Sequence, residues 1–108
     1  MEPLNLRDYY NGDYREFIVG EAVTGHHNIY LAYGEASAGE RREMGSEGHE
    51  EILLVLAGEV LMENGKVRVR LEREQTVYLP ADESWSLTAL ADSRYVVAGG
   101  HAAVQHGG

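Results

Sequence analysis

The sequence predicts an all-β domain, folded as a sandwich or a barrel. Short apolar or alternating segments recur along the chain with turn-forming residues between them, as in sandwiches and barrels. Asn64 and Gly65, flanked by two such segments, predict a β-hairpin. Thirteen glycines against two prolines are typical of a protein with many tight turns rather than of a linker.

The first half of the chain predicts two strands and a long loop. Residues 1–14 show a weak helical pattern, but their aromatic residues and an Asn-Gly pair favour a short strand and a turn. The segments 15–23 and 27–33 are apolar or loosely alternating and predict strands. Residues 34–48 are rich in glycine and charge, which indicates a long loop or an irregular edge.

A buried strand and a hairpin follow. Residues 51–57 form a nearly continuous apolar run, as expected of a strand that is covered on both faces. The segments 59–63 and 66–72 flank the Asn-Gly pair, which tolerates the two positive φ angles of a type I′ turn. In the second of these segments apolar residues alternate with charged ones, so one face is expected to be buried.

Three more strands complete the prediction. They span residues 76–79, where Pro80 ends the strand, then residues 84–90 and 94–98. The last ten residues are flanked by glycine and contain two of the five histidines.

Composition limits the classes of function. The chain has 108 residues, of which 44% are hydrophobic, and therefore suits one domain with a true core. A net charge of −9 argues against nucleic acid and against docking on anionic lipid. The absence of cysteine excludes disulfides and thiolate metal sites. With no apolar run long enough to span a bilayer and no signal-peptide pattern at the start, a cytoplasmic protein is expected.

Two motifs resemble those of the cupin superfamily. Residues 39–58 resemble its first motif, with Gly39, Glu51 and Gly58 in register, and residues 77–81 resemble its second motif, with Pro80 at the family's proline. The resemblance covers about two-thirds of the chain. It implies a cupin jelly-roll barrel of two antiparallel sheets and, at this length, a homodimer.

The resemblance also divides the single domain, 1–108, into regions. Residues 1–25 are expected to supply N-terminal strands that pack on the barrel. Residues 39–98 hold the cupin motifs, and residues 99–108 form a C-terminal segment expected to be partly flexible. Ile52 and its apolar neighbours at alternate positions lie opposite in parity to Glu51, so a partner subunit or the N-terminal segment is expected to cover that face.

The family's metal ligands are largely missing. Most cupin enzymes hold an ion with three histidines and one glutamate, and only Glu51 stands at its family position here. Gly45 and Glu47 occupy the two histidine positions of the first motif, and Trp85 occupies that of the second. The resemblance therefore implies the barrel without the usual catalytic metal.

A replacement site for one divalent transition metal is conceivable. Glu47, His49 and Glu51 share parity on a strand, and oxygen and imidazole ligands suit first-row ions. However, residues four apart on a straight strand are separated by roughly 13 Å, too far for one ion unless the chain curls. His27 or His101 could add an imidazole, but His26, His27, His101 and His106 are better explained as polar surface or hydrogen-bonded rim groups.

Aromatic residues suggest a small-molecule site as an alternative to a metal site. Trp85 either fills the core or offers a stacking platform, and Tyr78, Tyr30 and Tyr33 could line the same cavity. The basic pair Arg41-Arg42 could bind a carboxylate bidentately, but it is expected to offset the neighbouring Glu40 and Glu43 at the surface.

The sequence supports two hypotheses for function. The favoured one is a small cupin that binds an unidentified small molecule in its barrel without the usual metal, through Trp85, Tyr78, Glu51 and His49. The alternative is a divergent metal-dependent enzyme of the isomerase, lyase or dioxygenase type, with its ion held around Glu47, His49 and Glu51.

Overall fold

The structure is a computed structural model that describes residues 1–12, 14–45 and 48–101. Within these residues the regular secondary structure is almost entirely β-strand. The strands are β1 (Arg15–Val19), β2 (Tyr30–Ala36), β3 (Arg41–Met44), β4 (His49–Ala57), β5 (Glu59–Glu63), β6 (Arg68–Glu72), β7 (Thr76–Leu79), β8 (Trp85–Ala89) and β9 (Ser93–His101). One short helix, α1 (Glu21–Thr24), and a 3-10 turn at Leu6–Tyr9 complete the elements. No helix in the described part of the chain could cross a membrane.

The strands form two antiparallel sheets that enclose one core. The first sheet has the order β1-β2-β9-β4-β7, and the second has the order β3-β8-β5-β6. The chain passes from the first sheet to the second at Gly58, between β4 and β5. Gly58 has a φ of +85°, and a Cβ atom there would lie 2.3 Å from the Asp92 carbonyl oxygen, so this crossing requires glycine.

The inner faces of the two sheets are apolar. Leu53 and Val55 of the first sheet and Val60, Met62 and Leu87 of the second are all fully buried. The continuous apolar run of β4 therefore meets the second sheet with alternate residues. The all-β prediction and the two-sheet arrangement are confirmed.

Of the two alternatives for residues 34–48, a long loop or an irregular edge, the long loop is wrong and an edge strand is present. Strand β2 continues to Ala36, and β3 occupies Arg41–Met44. In β3, Arg42 and Met44 are buried while Arg41 and Glu43 are exposed, which is the alternation of a strand covered on one face. The sequence pattern did not predict this strand, because one of its two inward-facing residues is an arginine.

The hairpin between β5 and β6 is confirmed, but its turn is not type I′. The loop is closed by Asn64, whose backbone N–H donates to the Val67 carbonyl over 3.2 Å and whose side-chain oxygen accepts from the Lys66 and Val67 N–H groups. Among the two central residues, Gly65 has a positive φ and Lys66 does not. This sign pattern is that of a type II′ turn, with Asn64 as a capping residue before it.

The segment before β1 packs on the outer face of the first sheet. Leu6–Tyr9 is a 3-10 turn rather than the predicted strand, and Tyr10 forms an isolated bridge with Phe17. The Arg7 guanidinium lies 4.6 Å from the centre of the Phe17 ring. The strand predicted over residues 15–23 ends at Val19, after which the chain turns into α1.

The N-terminal segment covers only part of the outer face of the first sheet. Leu31, Ile52 and Tyr78 lie on the same outer face, because the strand register places Leu31 opposite Ala98, Ala98 opposite Ile52, and Ile52 opposite Tyr78. The three large side chains are between 45% and 54% exposed. The N-terminal segment therefore covers the β1 side of this face and leaves an apolar patch over β4 and β7.

Candidate functional site

A cavity opens at one end of the barrel. Its volume is about 410 Å³, within the range of small-molecule sites. It extends between the edge strands of the two sheets, β1 and β3, and past the start of β4. The described residues that line it are Glu16, Ile18, Gly20, Glu21, His27, Ile29, Tyr30, Ala32, Glu43, Met44, Gly45, His49, Glu51 and Val97.

At the mouth, Tyr30 of β2 donates a hydrogen bond to Glu51 of β4. The two strands are not adjacent, since β9 runs between them with Gly99 in register with both residues. A Cβ atom at Gly99 would lie 2.7 Å from the Tyr30 hydroxyl oxygen and 2.8 Å from Glu51 Cγ. Glycine therefore makes the space for this pair. Burial, followed by the hydrogen bond to Glu51, raises the pKa of Tyr30 above its ordinary value, so the phenol stays protonated and donates at neutral pH.

A second pair repeats this arrangement deeper in the barrel. Tyr95 of β9 donates to Glu16 of β1 over 2.5 Å, across Gly34 of β2. A Cβ atom at Gly34 would lie 2.3 Å from Tyr95 Cζ. Burial is the main cause that raises the Tyr95 pKa, and the bond to Glu16 adds to it. Glu16 therefore lines the cavity with one carboxylate oxygen held by a buried phenol.

Arg42 supports this deeper pair from the opposite sheet. Its side chain is 1% exposed, its Nη1 donates to the Tyr95 hydroxyl over 2.8 Å, and its Nη2 donates to the Glu35 carbonyl over 2.6 Å. The Tyr14 ring lies 4.6 Å from the guanidinium carbon. The expected surface position is therefore wrong for Arg42, although its expected pairing with Glu40 is present at 3.5 Å. Its Nε has no hydrogen-bond partner in the described part of the chain.

Three histidines from separate elements meet at the mouth. The ring centres of His49 and His101 are 4.6 Å apart, and those of His27 and His101 are 5.8 Å apart. The Tyr30 ring meets His49 edge-on at 5.8 Å. His27 Nε2 also lies 3.1 Å from a Glu21 carboxylate oxygen, an ion pair when the imidazole is protonated. The strand register explains the central contact, because His49 and His101 face each other across β4 and β9.

The predicted site residues separate into two groups. Glu51 and His49 lie in the cavity, as does Tyr30. Trp85 is 5% exposed and belongs to the hydrophobic core, where its indole N–H donates to Glu83 over 3.2 Å. The structure thus places Trp85 among core residues and outside the lining of this cavity.

Tyr78 and Tyr33 are also outside the cavity. Both belong to the outer face of the first sheet, where Tyr78 is 54% exposed and Tyr33 is covered by the N-terminal segment. Tyr78 and Tyr33 therefore do not share a cavity with Trp85, as the sequence had suggested they could. A second depression is lined by Tyr78 together with Ile52, Ala98 and Glu51, so Glu51 borders both the cavity and this depression.

The usual metal cage of the cupin superfamily does not fit the residues present. Gly45 offers no side-chain donor, and the Trp85 indole is packed in the core. Glu47 and His106 lie outside the described residues. Within residues 1–12, 14–45 and 48–101, no three histidine, aspartate or glutamate side chains are grouped so that they could hold one ion.

Comparison of the whole fold with solved structures identifies its type. Ectoine synthase from P. lautus superimposes with a TM-score of 0.75 at 16% identity, covering 94% of this chain and 78% of that chain. A cupin superfamily protein from Desulfitobacterium hafniense superimposes with a TM-score of 0.68 at 14% identity, covering 94% and 92%. The chain has the cupin fold. KdgF from Halomonas sp. is also similar, with a TM-score of 0.68 at 18% identity, covering 82% and 79%. No family model and no curated protein matches the sequence.

Several residues of this cupin cavity were not singled out from the sequence. Glu16 and Tyr95, which form the deeper tyrosine–glutamate pair, are 79 positions apart, and Gly34 and Gly99 make room for the two pairs. A glycine inside a strand can indicate such a close approach, but the predicted strands ended just before Gly34 and Gly99.

Proposed function

We propose that this protein is a small-molecule-binding cupin that works without the family's three-histidine, one-glutamate metal. The observation that carries the proposal is the cavity of about 410 Å³ with Glu51 fixed at its mouth by Tyr30. Apolar walls with a few fixed polar groups are typical of small-molecule sites. Glu51, a metal ligand by family resemblance, is here an acceptor for a phenol.

The position of Trp85 supports the same proposal. A tryptophan buried among Leu87, Met44 and other core residues contributes apolar packing where the family would place an imidazole donor. Trp85 therefore acts as core, and the ligand contacts fall to Glu51, His49 and Tyr30. The ectoine synthase and KdgF similarities are compatible with an enzyme, but at 16% and 18% identity they support the fold alone.

One observation favours the competing proposal of a divergent metal-dependent enzyme. The contacts between His27, His49 and His101 bring three imidazoles to the mouth of the cavity. The described residues hold no group of three donors suited to an ion, so this candidate depends on side chains moving together or on Glu47. It remains second.

We further propose that a second copy of this chain covers the outer apolar patch formed by Leu31, Ile52 and Tyr78. Three large side chains about half exposed on one flat sheet face are what an interface between soluble subunits buries. None of these three side chains lines the cavity, and Ile52 and Tyr78 line an outer depression together with Glu51.

A thermal-shift screen with a cavity-filling variant tests the main proposal. Ala32 lies in the cavity wall, and Ala98 lies on the outer face of the same sheet. A ligand of the cavity should raise the melting temperature of the wild type and of Ala98→Leu, and it should have little effect on Ala32→Leu, because the added side chain occupies its space. A library that stabilises neither wild type nor Ala98→Leu, or stabilises Ala32→Leu equally, contradicts the proposal.

A further inference from the structure

We propose that the ligand of the cavity is a small organic cation, an ammonium group carried on an apolar body. This inference rests on the proposed small-molecule function and specifies the chemistry of the same site. Three features of the cavity carry it: the sign of the charge along its walls, the way its carboxylates are held, and the apolar surface between them.

The charge of the lining is one-sided. Four glutamates line the cavity in the described part of the chain, Glu16, Glu21, Glu43 and Glu51, and none of the lining side chains there is a lysine or an arginine. Two of them have partners: Glu21 is placed to pair with His27, and the largely exposed Glu43 pairs with Arg41 over 3.6 Å. An anionic ligand would meet the negative charges of Glu16 and Glu51 with no lysine or arginine in the described lining to offset them, whereas an ammonium group would gain charge-assisted hydrogen bonds there.

Two of the carboxylates are fixed before any ligand arrives. The Tyr30 and Tyr95 hydroxyls each occupy one oxygen, Oε2, of Glu51 and Glu16. The second oxygen of Glu16 accepts a long bond of 3.5 Å from the Asn11 side-chain amide. A carboxylate oxygen has two lone pairs, so the second oxygen of each glutamate can accept a further hydrogen bond. Because the phenols are held in place over Gly99 and Gly34, binding loses little side-chain freedom at these two positions.

The remaining wall favours a ligand with an apolar body. Ile18, Ala32, Met44 and Val97 lie between the two tyrosine–glutamate pairs. The Tyr30 ring at the mouth adds an aromatic group, which attracts a cation over its face. A bare metal ion would gain nothing from these apolar walls.

Isothermal titration with three matched probes tests the inference on the full chain. The probes are hexylammonium, 1-hexanol and hexanoate, which share a six-carbon body and differ in charge. Hexylammonium should bind more tightly than 1-hexanol, and hexanoate should bind at least about tenfold more weakly than hexylammonium. Added sodium chloride should weaken hexylammonium and leave 1-hexanol unchanged.

Two variants and a matched control locate the effect. Glu51→Gln and Glu16→Gln should each weaken hexylammonium about tenfold without changing the affinity for 1-hexanol. Glu50→Gln is the control, because Glu50 precedes Glu51 on β4 but does not line the cavity. The salt dependence is measured on the wild type, so the inference stays testable if a variant fails to fold.

The outcomes separate the two proposals. If hexanoate or 1-hexanol binds as tightly as hexylammonium and Ala32→Leu abolishes that binding, the cavity is a ligand site but the cation inference is wrong. Salt-independent binding of hexylammonium, or full binding to Glu51→Gln and Glu16→Gln, also overturns the inference. If no probe and no library compound binds, both proposals fail.

Discussion

Tyr30 and Glu51 are hydrogen-bonded across an intervening strand, over a glycine that leaves room for the phenol. Tyr95 and Glu16 repeat the relationship at a deeper level, over Gly34. In each case the tyrosine and the glutamate stand on the two neighbours of the strand that contributes the glycine. The first sheet thus carries two built tyrosine–glutamate pairs, and both glutamates face one cavity.

A double-mutant cycle tests the dependence of Tyr95 on Gly34. Gly34→Ala should lower the free energy of unfolding by about 1–3 kcal/mol, because the new methyl group overlaps the buried Tyr95 ring. Tyr95→Leu should lower it by about 2–5 kcal/mol through lost packing. In the double variant the overlap disappears, so the losses should fall short of additivity by about 1 kcal/mol or more. Additive losses in chemical denaturation would show that the close approach does not constrain the sheet.

Arg42 and Arg41 are neighbours on β3 with opposite environments, and they form a matched pair. Arg42→Ala should cost about 3–5 kcal/mol of unfolding free energy, because it removes the partner of the Tyr95 hydroxyl and the Glu35 carbonyl inside the barrel. Arg41→Ala, at an exposed position, should change it by no more than about 0.5 kcal/mol. Denaturant unfolding measures both. Equal changes in unfolding free energy for the two variants would mean that the hydrogen bonds of Arg42 to Tyr95 and Glu35 do not stabilise the protein in solution.

Stability should fall at alkaline pH because of Tyr30 and Tyr95. Both pKa values are raised in the folded protein, chiefly by burial, so the folded state retains phenol protons that the unfolded state releases near pH 10. The resulting stabilisation is complete below about pH 10 and is lost as pH rises toward the folded values. Thermal melts between pH 8 and about 11 should show this loss. The variant Tyr30→Phe should show a shallower decline, and an unchanged decline in that variant would contradict the assignment.

The outer patch predicts self-association. Sedimentation equilibrium should find a dimer, and Ile52→Asp should shift it to monomer by placing a charge in the interface. Val67→Asp is the control, because Val67 is also exposed, at 45%, but lies at the β5–β6 turn. A monomeric wild type, or a variant Ile52→Asp that stays dimeric, would contradict the proposed interface.

Local signals in the sequence predict most of the fold. Gly58, Pro80 and the Asn64-Gly65 pair each mark a strand end or turn that the structure contains. Strand β3 was missed because Arg42 gives a buried position the appearance of a charged loop. Its burial depends on Tyr95, 53 positions away, and on the Glu35 carbonyl of β2, seven positions away, and no pattern within β3 records those partners.

The candidate site was predictable only in part. Glu51 and His49 share parity, and both lie in the cavity, since alternation fixes which residues of one strand face the same way. Parity could not determine which face of β7 turns inward, so Tyr78 was assigned to the cavity although it lies outside. The pairs of Tyr30 with Glu51 and of Tyr95 with Glu16 depend on strand order, which local patterning does not determine.

Elemental analysis of the protein, purified without chelators or metal-affinity steps, tests the central claim most directly. With Trp85 in the core and Gly45 at a ligand position, we expect iron, manganese, nickel and zinc all to be far below one ion per chain. The cavity should nevertheless bind small molecules in the thermal-shift screen. One equivalent of a transition metal that is lost in Glu51→Gln or His49→Ala would contradict the account and favour the metal-dependent alternative.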